Sequence, residues 1–336
     1  MKGYRVNRRS LLIGMAAAPA IVRAARAAPM ALRLSSSLPN NPKFANGRVY
    51  YDNLLKRLAA NGLADRIEVQ FFPDNQLGQE IDVVNSVSLG VIDLMVTGTS
   101  IWANVVPLIG LLDLGYLFEN FPQQTRALDA GAAKPLEQAL QAGANVRIIG
   151  WAYNFGSRSV LCKSSVHTPA DLSGKRIRTL PNKIITECLR LMGAAATPLA
   201  FGEIYTALQA GVLDGLEHDP PTIVASKFYE TAKFYSLTQH NFSALGVFCS
   251  GLTLNRMETP LRNQFLTAAS QAAIDTRARG LEAENEAIET LKQKGVEIIA
   301  CDREPFRKLV LPQTDEFIKA HPAAKPIIDI VQSTKA

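Results

Sequence analysis

The chain has 336 residues, a formal net charge of +6 and a hydrophobic fraction of 47%, enough for a large folded core. Residues 1–27 carry six of the 36 basic residues and none of the 30 acidic ones, so the remaining 309 residues have no net charge. A nucleic-acid-binding protein needs a surplus of basic side chains to neutralise phosphates, and this balance excludes that class.

The first 27 residues are typical of an export signal. Arg8 and Arg9 precede an apolar run over residues 11–22, and residues 25–27, Ala-Arg-Ala, offer a cleavage site between small side chains. The run is shorter than the ~20 residues that span a bilayer, so we expect cleavage after residue 27 and a periplasmic product. The paired arginines favour the twin-arginine export route, with the general route left open. An uncleaved membrane anchor is the alternative.

Strands and helices alternate after the signal. Apolar patterns predict strands at residues 32–34, 67–71 and 92–96. Helical spacing predicts a first helix with Tyr51, Leu54, Leu55 and Leu58 on its buried face, and a second over residues 80–89. Gly62 and Gly90 follow the two helix ends. This β-α-β-α-β order predicts an α/β fold with a mainly parallel sheet flanked by helices.

A short internal sequence repeat predicts two similar lobes. Residues 89–93 are LGVID and residues 210–214 are AGVLD, in each case a helix end, a glycine cap and a strand with an acid. Residues 260–295 predict one long helix of about 50 Å, longer than a single lobe, with a bend at Gly280. We expect lobes joined by crossing strands, which suits a hinge.

Hydroxyl-bearing residues follow two of the predicted strands. Ser36 and Ser37 come after the first strand, and Thr99 belongs to a Thr-Gly-Thr-Ser loop after the third. Ligands of open α/β sheets bind outside the carboxyl ends of strands, so Ser37 and Thr99 are candidate ligand-binding residues whose hydroxyls would donate to ligand oxygens. An ordinary hydroxyl-rich loop is the alternative.

Two arginines are candidate carboxylate ligands. Arg158 and Arg178 are twenty positions apart and can converge on one carboxylate if a turn brings their strands together. A guanidinium suits this task because its planar fork donates two parallel hydrogen bonds. From the residues alone, two surface arginines are the alternative interpretation.

Three fragments between residues 158 and 240 form a specific combination. The chain reads DLSGKRIR over residues 171–178, FGEIYTAL over 201–208 and DGLEH over 214–218. It thereby resembles the solute-binding proteins of tripartite ATP-independent periplasmic (TRAP) transporters, which usually read DLKGxKIR, FxExYxAL and DGQEN. The resemblance implies a two-lobed periplasmic-binding-protein fold with a long helix spanning both lobes. The expected boundaries are residues 28–154 and 244–268 for lobe I, and 155–243 and 269–336 for lobe II.

The resemblance also implies roles for particular side chains. Arg178 matches the family's carboxylate clamp, and Arg158 would assist it, although one extra residue precedes Arg158 relative to the usual Asn-Gly-x-Arg. Phe201 matches a position that packs against bound ligand. Glu217 and His218 complete the cluster. Most members have Asn where this chain has His218, and this departure fits members that bind sugar acids.

The implied function is a receptor that closes on a small organic acid and delivers it to integral-membrane transporter subunits. A sugar acid is the first expectation and a dicarboxylate the second, and a periplasmic sensory module would use the same fold. We expect no cofactor, and no metal because the Glu-Trp pattern of metal-dependent keto-acid binders is missing. Common catalytic and nucleotide-binding motifs do not occur, and neighbouring residues of one strand point to alternate faces, so Glu217, His218 and Asp219 do not suggest an enzyme.

The cysteines leave the redox state open. Cys162, Cys188, Cys249 and Cys301 allow three disulfide pairings in an oxidising periplasm, and sequence cannot choose among them. The chain has no Cys-x-x-Cys motif, so buried free thiols are expected.

Overall fold

The computed structural model describes residues 28–152 and 156–335. The predicted export signal lies outside the described residues, as do Asn154 and Phe155 of the segment before Arg158. The strands are β1 (Met30–Ser35), β2 (Ile67–Phe72), β3 (Leu94–Gly98), β4 (Val146–Trp151), β5 (Arg158–Cys162), β6 (Arg176–Thr179), β7 (Ala195–Pro198), β8 (Gly215–His218), β9 (Phe234–Asn241), β10 (Leu245–Ser250) and β11 (Glu297–Ala300).

Helices connect and cover these strands. They are α1 (Asn46–Ala60), α2 (Glu80–Ser88), α3 (Thr99–Trp102), α4 (Phe121–Ala127), α5 (Ala133–Ala144), α6 (Lys183–Leu191), α7 (Ile204–Gln209), α8 (Pro220–Ala225), α9 (Gly251–Asn255), α10 (Thr259–Ala278), α11 (Gly280–Gln293), α12 (Glu304–Val310), α13 (Pro312–Ala320) and α14 (Ala324–Ser333). Short 3-10 segments lie at Pro107–Asp113, Pro169–Leu172, Phe201–Glu203 and Phe228–Glu230, and a π turn at Leu128–Ala132.

The strands form two sheets of closely similar topology. The first has the order β2-β1-β3-β10-β4 and the second the order β7-β6-β8-β5-β9-β11. In each sheet one strand, β10 or β5, runs antiparallel to its neighbours, and the remaining strands share one direction. The predicted α/β fold with two mainly parallel sheets is therefore confirmed.

Each reversed strand directly follows a crossing between the sheets, whereas β11 is reached from the first sheet through helices α9, α10 and α11. The chain passes from the first sheet to the second between β4 and β5, and returns between β9 and β10. The predicted long helix is α10 followed by α11, with a break at Arg279, one residue before the expected bend. Helix α10 packs on α1 and β4, and α11 packs on α8 and β11, so this helix pair contacts both sheets.

The two copies of the internal sequence repeat form the same local structure. Gly90 and Gly211 both adopt left-handed backbone conformations, with φ of 71° and 73°, and each follows a helix end. The acid that comes next fastens a neighbouring strand: Asp93 accepts from the amide of Arg33 in β1, and Asp214 accepts from the amide of Arg176 in β6. The two sites are equivalent joints in the two sheets.

Helix α1 shows where helical spacing was misjudged. Tyr50, Leu54 and Leu58 form its buried face, whereas Leu55 is 39% exposed. The prediction that Leu55 is buried is wrong because a step of one residue turns a side chain by about 100° around the axis, away from the sheet. Tyr50, one turn before Leu54, lies on the buried face instead.

The cysteines and the surface give two further results. All four cysteines are free thiols; Cys162, Cys188 and Cys249 are buried and Cys301 is partly exposed, which agrees with the expected free thiols. Among residues 28–152 and 156–335, no helix has the length and apolar character needed to cross a membrane.

Candidate functional site

The carboxyl ends of strands from both sheets meet around a small cavity. Its volume is about 40 Å³, room for only a few water molecules. From the first sheet and its helices, the lining includes Ser37, Asn46, Glu80, Thr97 and Ser100. From the second sheet and the crossing segments, it includes Arg158, Leu180, Phe201, His218, Thr222 and Ser243. This is the position at which open α/β sheets bind ligands.

Arg178 in β6 is the most unusual side chain near this cavity. It is fully buried, and its Nε donates to the carbonyl oxygen of Leu199 at 2.8 Å. Its Nη1 and Nη2 have no hydrogen-bond partner within the described part of the chain. Burial lowers the pKa of Arg178 to about 10, against the opposing effect of the Glu217 carboxylate. A buried cation with two unpartnered nitrogens is costly unless an anion meets it.

Arg178 lies beside the lining rather than within it. Leu180, two residues further along the chain, lines the cavity, and so does Phe201, two residues after the Leu199 carbonyl that binds Nε. The nearby charges of Arg158 and Glu80, both lining residues, also act on its pKa. Arg178 therefore lies next to residues of the cavity wall.

Arg158 lines the cavity, but its fork already holds a carboxylate. Nε lies 2.5 Å and Nη2 2.7 Å from the two carboxylate oxygens of Glu217, and both side chains are buried. Burial alone would raise the pKa of Glu217, but Arg158 and His240 outweigh it and hold that pKa below its ordinary value. His240 Nε2 is 3.5 Å from Glu217. Glu217 is therefore an ionised partner of Arg158, and its carboxylate is directed at Arg158.

His218 and Phe201 lie together in the cavity wall. Their rings meet edge to face with centroids 5.8 Å apart. His218 Nδ1 is 2.7 Å from Oδ2 of Asp219, and burial, reinforced by the positive charge of Arg158, lowers the pKa of His218. At neutral pH His218 is therefore uncharged, with a polar ring edge in the wall of the cavity.

The hydroxyl-bearing loop after β3 lies at the carboxyl end of that strand, and its hydroxyls donate to carboxylates of the protein. Thr99 and Ser100 donate to Oδ1 of Asp113 at 3.2 and 2.6 Å, and Thr97 donates to Oε1 of Glu80 at 2.6 Å. Each of these hydroxyls has one proton and a carboxylate already accepts it, so none of the three donates toward the cavity in this structure. Ser100 and Thr97 line the cavity, whereas Thr99 is fully buried against Asp113. Ser37 also lines the cavity, and its contact with a ligand stays a prediction.

Several cavity groups were not identified from the sequence. Glu80 is the first residue of α2, a helix that was predicted, but periodicity does not show which side chain of a first turn faces the cleft. Asn46 in α1 and Thr222 in α8 are further cases. Asp113, whose pKa burial raises to about 7, gave no signal at all because it lies in an apolar 3-10 segment.

The described residues, 28–152 and 156–335, contain no group of three or more His, Cys, Asp or Glu side chains placed to hold a metal ion.

Comparison with protein families finds one match that spans most of the chain. Residues 49–320 match the family model described as bacterial extracellular solute-binding protein, family 7. The 2,3-diketo-L-gulonate-binding periplasmic protein YiaO of Escherichia coli (strain K12) is 29% identical over 272 residues, which cover 80% of this chain and 82% of that protein.

Comparison with solved structures gives the same picture. A TRAP periplasmic solute-binding protein from Chromohalobacter salexigens with bound D-glucuronate is 26% identical, with a TM-score of 0.84, over 90% of this chain and 100% of the other. A TRAP periplasmic solute-binding protein from Polaromonas sp. JS666 bound to D-erythronate is 29% identical, with a TM-score of 0.85, over 91% and 99% of the two chains.

Proposed function

We propose that this protein, which belongs to family 7 of the bacterial extracellular solute-binding proteins, the periplasmic receptors of TRAP transporters, binds a hydroxylated sugar acid in the cleft between its two sheets. Such receptors deliver small organic acids to membrane transporter subunits and are not enzymes. In this proposal the protein releases its ligand unchanged.

The observation that carries the proposal is the buried, half-partnered guanidinium of Arg178. Its Nη1 and Nη2 form a donor pair of the geometry that a carboxylate accepts bidentately, and the other nitrogen is already fixed by Leu199. A carboxylate on this fork would pair the buried charge, which gives a large difference in free energy between the free and the bound protein.

The remaining predicted contacts have supporting roles in the proposal. Arg158 lines the cavity and would donate a hydrogen bond to the ligand carboxylate, while Glu217 keeps its charge compensated. The ring of Phe201 would pack against the carbon skeleton. His218 and Ser37 would contact ligand hydroxyls, and Thr99 would act through Asp113 by holding the loop in place.

Binding requires the lobes to separate, since about 40 Å³ is far below the 300 Å³ or more of a typical ligand pocket. We place a hinge in residues 242–244, between β9 and β10, and retain the lobe boundaries expected from the sequence. The hydrogen bonds that opening would break near the cavity include those from Asn182 to the carbonyl of Ser100 and from Asn104 to the carbonyl of Pro181, at 2.6 and 3.1 Å.

Two comparisons with known proteins support a sugar acid over other acids. The glucuronate and erythronate of the solved neighbours, and the diketogulonate named for the Escherichia coli protein, all combine one carboxylate with several hydroxyls. His218, at a position where the resemblance associates histidine with sugar-acid binders, points the same way.

The test is a thermal-shift screen of the purified protein, followed by calorimetry, against hexuronates, aldonates, dicarboxylates, keto acids and amino acids. A ligand at about 100 times its Kd should stabilise the native state by roughly 2.7 kcal/mol. Stabilisation by sugar acids is the expected result, and a response confined to amino acids or to simple dicarboxylates would overturn the proposal.

A further inference from the structure

We infer that the hydrogen-bond polarity of the cavity restricts the ligand to an acid with one carboxylate and several hydroxyls, and that Glu80 rejects a second carboxylate. This inference rests on the proposed sugar-acid function and adds a rule of selection to it. It follows from counting the protons and charges of the cavity's lining groups.

Four lining hydroxyls have already given their protons to oxygens of the protein. Each donates to a carboxylate or an amide oxygen: Thr97 to Glu80 at 2.6 Å, Ser100 to Asp113 at 2.6 Å, Thr222 to Asp219 at 3.1 Å and Ser243 to Asn241 at 2.7 Å. A hydroxyl has one proton and two lone pairs. Toward a ligand, these four side chains therefore act as acceptors.

His218 can pair a ligand hydroxyl in either tautomer. Its Nδ1 lies 2.7 Å from a carboxylate oxygen of Asp219, which only accepts, and the Asp219 amide N–H donates to the same nitrogen at 3.0 Å. These two contacts require opposite tautomers, so Nε2 is a donor in one and an acceptor in the other. A ligand hydroxyl, with one proton and two lone pairs, satisfies Nε2 in both cases.

The charges allow one carboxylate and no more. Arg158 is occupied by Glu217 through two short bonds, so its positive charge is compensated within the protein. Arg178 lies next to the lining, and its Nη1 and Nη2 have no hydrogen-bond partner among the described residues. Glu80 brings a negative charge to the part of the cavity wall that the first sheet and its helices contribute, where Thr97 donates to one of its oxygens. A first carboxylate pairs with Arg178. A second would face the negative charge of Glu80 and the lone pairs of the neighbouring hydroxyl oxygens.

This arrangement discriminates between pairs of acids that differ at one end. An aldonate has a terminal CH₂OH that can donate to Glu80 or to the neighbouring hydroxyl oxygens. The matching aldarate has a carboxylate at that end, which can donate nothing and is repelled by Glu80. Sites built to pair a hydroxyl reject analogues that lack it, because the polar groups of the site are then buried without partners.

The experiment is titration calorimetry with three matched pairs: D-gluconate and D-glucarate, D-galactonate and galactarate, and D-erythronate and meso-tartrate. The wild-type protein, Glu80→Gln and Asp82→Asn are compared. Gln at position 80 keeps an oxygen for Thr97 but exchanges the charge for an amide donor. Asp82 is an exposed carboxylate on the same helix outside the lining, so Asp82→Asn controls for the loss of one negative charge.

We expect the wild-type protein and Asp82→Asn to bind the best aldonate at least about tenfold more tightly than its aldarate, and Glu80→Gln to reduce or reverse that ratio. Equal binding of aldonate and aldarate by the wild-type protein, or an unchanged ratio in Glu80→Gln, would overturn the inference and leave the sugar-acid function intact. Binding of dicarboxylates with no binding of any hydroxylated monocarboxylate would overturn both.

Discussion

Replacing Arg178 with methionine separates the cost of burying its charge from its use in binding. Burial lowers the pKa of Arg178 from its ordinary value to about 10, a fall of between two and three pKa units. Since each pKa unit corresponds to about 1.4 kcal/mol, the ligand-free protein bears a penalty on the order of 3 kcal/mol for keeping this group charged. Methionine fills much of the same volume without charge. It also loses the hydrogen bond to Leu199, worth about 1 kcal/mol.

Arg178→Met should therefore be about 2 kcal/mol more stable than the wild-type protein without ligand, and yet bind its best acid at least about a hundredfold more weakly. Urea denaturation without ligand measures the first quantity and titration calorimetry the second. Arg178→Lys should also bind poorly, because an ammonium group cannot supply the two-pronged fork.

Arg190→Met is the matched control. Arg190 is exposed on α6 and pairs with Glu187 on the surface, so its loss should change stability by no more than about 0.5 kcal/mol and leave affinity unchanged. A ligand-free Arg178→Met protein less stable than the wild type would show that the guanidinium is better compensated than the contacts indicate. Near-wild-type binding by that variant would remove Arg178 from the site.

Three further predictions concern other parts of the site. His218→Asn should change the ranking among hydroxylated acids, and His218→Ala should weaken the best ligand by about 1–3 kcal/mol in calorimetry; unchanged ranking and affinity in both would make His218 structural. Small-angle scattering should give a smaller radius of gyration for the ligand-saturated protein than for the free protein, and identical profiles would contradict hinge closure. Burial raises the pKa of Asp113 from 3.8 to about 7, so the native protein holds a proton that the unfolded chain releases in this range. The unfolding free energy due to Asp113 should therefore fall between about pH 4 and pH 7, by at most about 1.4 kcal/mol per pH unit, and Asp113→Asn should remove this slope; matching pH profiles of wild type and variant would refute it.

Periodicity and helix-end signals predicted the first strands and helices, and the family resemblance supplied the two-lobed architecture. The alternation of strands and helices, the glycine-terminated joints at Gly90 and Gly211 and the long polar helix near the C-terminus all depend on local spacing, which a sequence shows directly. The placement of β5 and β10 as the reversed strands could not be obtained in this way. It depends on which chain segments cross between sheets, a property of residues far apart in sequence.

The site was predicted in part. Arg178 and His218 belong to motifs with a family resemblance, and the structure brings them to one cavity region. Glu80 was missed because a carboxylate at a helix start is common on surfaces, and only the packing of α2 against β3 turns it inward. The hydrogen bonds of Thr99 and Ser100 to Asp113 could not be predicted, because Asp113 is separated from Thr99 by an apolar segment that gives no sign of a buried charge.

The most direct measurement of the central claim is a crystal structure of the protein with the tightest-binding acid of the panel. The account predicts a ligand carboxylate with its two oxygens about 2.7–2.9 Å from Nη1 and Nη2 of Arg178, Arg158 still bonded to Glu217, and hydroxyls on the side of Glu80. A ligand whose carboxylate lies elsewhere in the cleft, with the Arg178 nitrogens still unpartnered, would contradict it.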